Sequence, residues 1–165
     1  MATKKNSKST KKPAKGPDGI ALLKEDHKKV KGLLGDLEKS SMRGGPRAQK
    51  LVAQIDKELT IHSQIEEEIF YPAFRDAVSS KDDKKMYFEA KEEHHVVKLV
   101  LPEVKEGGMA NEEFAAKCKV LKELVEHHAD EEEKEMFPEA RKALSRPELQ
   151  ELGERMAQRK KELGG

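Results

Sequence analysis

At 165 residues the chain has room for one domain with a substantial core and not for two of ordinary size. Charged residues make up 39% of it, aromatics 4%, and there is no Trp, a balance that favours long solvated helices over a β-sandwich or barrel. The lone cysteine, Cys118, rules out an intrachain disulfide, and no apolar run reaches the length of a signal peptide or membrane span, so a soluble, cytoplasmic protein with no membrane contact is expected.

The net charge of +1 hides an uneven distribution, because residues 1–16 hold six lysines and no acid. Rich in Lys, Ser and Thr with almost nothing to bury, this segment reads as a disordered tail. It could touch nucleic acid, but it has neither an aromatic nor an Arg to stack on bases, and a solubilising role fits it better. From Pro17 a first helix places Ile20, Leu23, His27, Val30, Leu34 and Leu37 on one stripe by steps of three and four, and Ser40 to Gly45 breaks it. A second helix aligns Val52, Ile55, Leu59, His62, Glu66, Ile69 and Ala73 in the same way.

A third helix, from about Asp83 to Gly107-Gly108, aligns Ala90, His94, Val97, Leu101 and Val104. The fourth aligns Cys118, Leu121, Val125, His128, Glu132, Met136 and Ala140. Pro72, Pro102 and Pro138 fall within or near the ends of these helices, where kinks or local endings are expected. Short connections between amphipathic helices predict an all-α, up-down-up-down four-helix bundle over residues 17–145. Residues 146–165 form a short fifth helix, from about Pro147 to Leu163, that lays Leu149, Leu152 and Met156 against it.

Each stripe is interrupted only by His or Glu, and the interruptions repeat. His62-x-x-x-Glu66 runs on to Pro72, and His128-x-x-x-Glu132 runs on to Pro138. Upstream, Lys24-Glu25-Asp26-His27 matches Lys91-Glu92-Glu93-His94, with 35 positions from His27 to His62 and 34 from His94 to His128. One such His is more often a hydrogen-bonded core residue than a ligand. Four His and two Glu aimed into one interior would leave unpaired polar groups costing on the order of 1–3 kcal/mol each. A pair of cations satisfies them together, since neutral imidazoles and carboxylates are both metal ligands.

Of the neighbouring polar residues, Glu68 and Glu133 read as solvated, and His95 and His127 as surface or supporting residues about 100° off the seam. A register using His127 with Glu131 would stretch the His-to-Pro spacing from 10 positions to 11 and is set aside. Phe70, Tyr71, Phe74, Tyr87, Phe88 and Phe137 read as core packing that keeps the interior dry, with Tyr87, seven before His94, as a candidate extra ligand or redox partner. Cys118 reads as a packed thiol, and no Ser-His-Asp or phosphate-loop pattern competes.

This ordered set resembles the hemerythrin-like, or HHE cation-binding, domains over about residues 18 to 145. The resemblance implies a four-helix bundle holding two non-haem iron ions, with His27, His62, His94 and His128 as terminal ligands and Glu66 and Glu132 as bridging carboxylates. It departs from the oxygen carriers at Ala90, where they have a fifth His, and water, Tyr87 or a nearby carboxylate is expected there instead. Two functions follow as expectations: binding of oxygen, peroxide or nitric oxide for sensing or storage, or an enzyme that decomposes hydrogen peroxide or repairs nitrosative damage. Manganese and zinc suit the same ligands, so the metal stays open.

Overall fold

A computed structural model describes residues 16–107 and 111–165, so the Lys-rich tail, apart from Gly16, and Gly108 lie outside the described residues. The described residues are helical apart from short connections. Helix α1 is Gly19–Ser41; α2 covers residues 45–77; α3 is Lys81–Glu106; α4 covers residues 112–143; α5 is Arg146–Glu162. Side-chain caps set most of the starts, with Asp18, Ser80 and Asn111 each accepting from the backbone N–H three residues on. Ser145 and Glu148 close a reciprocal capping box at α5. The start of α2 relies on backbone freedom instead, since Gly44 and Gly45 have φ of 56° and 80° and Pro46 follows in the first turn.

Both α2 and α4 contain one wide turn. Residues Glu66–Phe70 and Glu132–Met136 are π-helical, so Tyr71 N–H donates to the Glu66 carbonyl and Phe137 N–H to the Glu132 carbonyl, five residues back. Pro72 and Pro138 come immediately afterwards, and the widened turn makes room for their rings. The disturbances expected at these prolines thus take the form of wide turns inside continuing helices. Pro102 sits within α3, which runs on to Glu106.

Helices α1 and α3 each pack between α2 and α4, completing the four-helix arrangement. Two apolar clusters fill it. One joins Ile20, Leu23, Phe70, Phe74, Phe137 and the α5 residues Leu149, Leu152 and Met156; the other joins Val30, Leu34, Ile55, Val97, Leu101, Phe114 and Leu121. The ligand candidates occupy a polar layer between them. Helix α5 crosses the start of α1 so closely that a Cβ on Gly153 would lie 2.3 Å from the Pro17 carbonyl oxygen.

Candidate metal centre

The structure brings all six predicted ligands into one buried layer, two from α2, two from α4 and one each from α1 and α3. His62 and Glu66, one helical turn apart, have Nε2 and Oε2 at 3.2 Å. Glu66 Oε2 is also 3.2 Å from His94 Nε2. Glu132 Oε2 is 3.1 Å from His27 Nε2 and 3.6 Å from His128 Nε2. Donor atoms of His27, His62, Glu66 and Glu132 all lie within 4.8 Å of one another, as do those of Glu66, His94 and His128. Glu66 belongs to both groups.

Several of these atoms are buried with nothing to bond. His27 Nε2, His62 Nε2, both Glu66 oxygens and Glu132 Oε2 have no hydrogen-bond partner. Such groups are costly in an interior of low dielectric unless a cation collects them. The donor set is all imidazole nitrogen and carboxylate oxygen, which suits iron, manganese or zinc. On both geometry and donor chemistry the residues fit a metal centre.

Around the inner groups stands a ring of carboxylates. Each imidazole presents Nδ1 outward to one of them: His27 to Glu133 at 2.9 Å, His62 to Asp26 at 3.4 Å, His94 to Glu67 at 2.8 Å and His128 to Glu93 at 2.6 Å. An ionised carboxylate can only accept, so each Nδ1 carries a proton, and in the neutral imidazole Nε2 keeps its lone pair for the interior. Cations back three of the four: Lys160 of α5 reaches Asp26 at 2.5 Å, Lys98 reaches Glu67 at 2.6 Å and Lys31 lies 4.0 Å from Glu133. Glu93 faces His127 Nε2 at 3.6 Å instead.

These contacts correct the expectation for Glu133, which is not simply solvated, because His27 has turned its outer nitrogen toward it. Glu68 is exposed and holds Arg159 of α5 at 2.8 Å. His95 and His127 are both exposed, and His127 pairs with Glu131 at 3.2 Å on the surface, where the register set aside above ends up. Phe88 is exposed rather than packed in the core. The ring was absent from the sequence reading although its pattern was available: Asp26 and Glu93 precede equivalent His, and Glu67 and Glu133 follow equivalent Glu.

Tyr71 is the other omission. Its hydroxyl donates to Glu132 Oε1 at 2.8 Å, and the oxygen lies 3.2 Å from His94 Nε2 and 3.4 Å from His128 Nε2. Tyr87, the expected candidate, stands one layer out: its ring meets that of Tyr71 edge-on at 6.3 Å, and Arg75 and Lys91 cover it. The phenol beside the buried imidazoles therefore comes from α2, not α3.

Without metal the layer is electrostatically tense. Burial holds the His62 imidazolium down to about 4, against the pull of Asp26. Burial and the neighbouring Glu132 charge push Glu66 well above the usual carboxylate range. Glu132 goes the other way: burial opposes ionisation there too, but His128 and His27 outweigh it. Burial, then Glu132 and Glu66, drive the Tyr71 phenol up. In the outer ring the His94 hydrogen bond, helped by Lys98, holds Glu67 at about 2.

Comparison with known families decides what this arrangement belongs to. The hemerythrin HHE cation binding domain matches residues 18–140. The chain belongs to that family. A solved structure of a hemerythrin HHE cation binding domain-containing protein from Mycobacterium kansasii superposes with a TM-score of 0.77 at 29% identity, covering 89% of this chain and 87% of that one. An uncharacterised protein of Mycobacterium tuberculosis is 29% identical over 145 residues, which is 87% of this chain and 86% of that protein. A DNA nickase of a Nostoc species is 31% identical over 124 residues, 75% of this chain; the HHE chain spans only 34% of that relative. Among the described residues no helix of this HHE domain is long and apolar enough to cross a membrane.

Proposed function

We propose that this HHE domain holds two iron ions and uses them to bind dioxygen, peroxide or nitric oxide in oxygen, iron or stress sensing or storage. The observation that carries the reading is the set of buried, unpartnered donor atoms on His27, His62, Glu66 and Glu132. His27, His62, Glu66 and Glu132 would hold one ion, and Glu66, His94 and His128 the other, with Glu66 shared. Iron supplies reversible one-electron chemistry toward such ligands. In each neutral imidazole, Nδ1 donating to its outer carboxylate leaves Nε2 free to face the interior. Phe70 and Phe137 exclude water from one side of the layer.

Only three side chains converge on the second ion, since the position at which the carriers have a fifth His is the buried Ala90. Tyr71 stands nearest as an added donor. Metal analysis of protein reconstituted with ferrous iron in air tests the proposal: about two irons per chain and a ferric near-ultraviolet band are expected. Protein that emerges metal-free ends it.

A second reading, turnover of hydrogen peroxide to water and oxygen, is favoured by that same Tyr71 hydroxyl, a hydrogen-bond donor inside the layer that could orient a peroxide oxygen. Oxygen evolution well above that of free iron, lost in His128→Ala, is its expected signature. A rate no better than free iron removes it.

A further inference from the structure

A cavity of about 520 Å³ lies against the centre, with His27, His62, His94 and His128 at its inner end. Its walls are apolar: Val30, Leu59, Val97, Leu101 and Val125. It opens between α2 and α3 at Ser63, Gln64 and Lys98. Dioxygen or peroxide needs roughly the 30 Å³ that one water occupies, whereas cavities of about 300–1,000 Å³ with apolar walls and few polar groups are the size of small organic ligand sites. The volume exceeds what the ligands named above require.

The opening is also one-sided, although the helices repeat. By the repeat that aligns His62 with His128 and His27 with His94, Gln64 corresponds to Asp130 and Lys98 to Lys31. Across the α1–α4 seam Lys31 pairs with Asp130 at 2.8 Å. Across the α2–α3 seam the equivalent tie is missing, because Gln64 turns back to Glu68 on its own helix at 2.7 Å. Ion pairs Lys98–Glu67, at 2.6 Å, and Lys105–Asp56, at 2.7 Å, bracket the window between them.

We propose that this cavity binds a compact organic molecule, an alkyl or aryl body with one terminal oxygen donor, whose body seats on Val97, Leu101 and Leu59 while the oxygen points toward the imidazole layer. Partner selection by the α2–α3 window then sets which oxygen compounds reach the centre. The role of the inner oxygen rests on the metal reading above; occupancy of the apolar walls does not.

The probe is 4-fluorobenzyl alcohol, followed by fluorine NMR on the full chain, metal-loaded and metal-stripped, with metal content measured separately. Saturable binding in the millimolar range is expected in both states, about tenfold weaker or worse in Ser63→Trp, which plugs the window, and unchanged in Asp130→Asn on the opposite seam. Thr60→Trp, at an exposed rim position, replaces the plug if Ser63→Trp does not fold. No saturation by about 10 mM in either state, or binding indifferent to both plugs, overturns the proposal. Probe binding by protein that takes up no metal when reconstituted with ferrous iron would sink the metal reading alone, and two irons without probe binding would sink the cavity alone.

Discussion

The two halves of the bundle, α1 with α2 and α3 with α4, repeat their chemistry and differ in their surroundings. Each supplies two His and one Glu to the interior, two outer carboxylates and one wide turn. Their outer supports diverge. Asp26 in the first half leans on Lys160 of α5, whereas its counterpart Glu93 leans on the exposed His127. The α1–α4 seam is tied by Lys31 and Asp130, whereas the α2–α3 seam lacks that tie and has the cavity mouth between two ion pairs. The inner donors and their outer carboxylates are duplicated; access and anchoring are not.

The largest expected effect tests the one inner group that breaks the symmetry. Because Glu66 serves both donor groups, Glu66→Ala is expected to abolish binding of both ions, and Glu132→Ala to leave at least one, as read by metal analysis. Equal losses would restore full equivalence of the halves. Next come the outer carboxylates: Asp26→Asn and Glu93→Gln should each weaken metal affinity by about 10- to 100-fold, since their imidazoles lose the partner that orients them. Lys160→Met should reproduce part of the Asp26 effect and His127→Ala much less of the Glu93 effect, measured by competition with a chelator.

Tyr71→Phe leaves Glu132 Oε1 without its donor in a buried layer, and should lower the stability of the metal-free protein by about 1–3 kcal/mol in urea unfolding. No loss would mean that water replaces the hydroxyl. The smallest effect concerns Cys118, whose counterpart in the first half is Val52. Burial pushes the thiol from its ordinary value near 9 up to about 11. The unfolded chain therefore releases that proton first, and part of the stability present at neutral pH is lost as pH rises from 9 to 11. Cys118→Val should remove that component from the pH profile and otherwise change little.

The four stripes, the convergence of the repeated His and Glu and the fifth helix were legible because apolar spacing and the repeat act at the level of single helices. The outer ring was obscured, since Asp26, Glu67, Glu93 and Glu133 sit among 32 acidic residues and only neighbouring helices select them. Tyr71 was hidden by geometry. Five residues after Glu66 is about 140° round an α-helix, off the seam, but the wide turn brings that position back under Glu66. Its signal was the proline that follows directly, in a place where an ordinary turn has no room for one.

Those wide turns also fix how the chain can change in length. Removing one residue between 66 and 70 would let α2 close with ordinary hydrogen bonds; four α-helical steps return to nearly the face that five wide ones do, so Phe74 would stay in the core and Tyr71 near Glu132, and what is lost is the room the wide turn gives Pro72. The same holds between 132 and 136 for Phe137 and Ala140. Each turn is an absorbed residue: a one-residue difference in length inside it leaves the faces of the two flanking helical segments in step, whereas the same change elsewhere in the helix would rotate one against the other by about 100°.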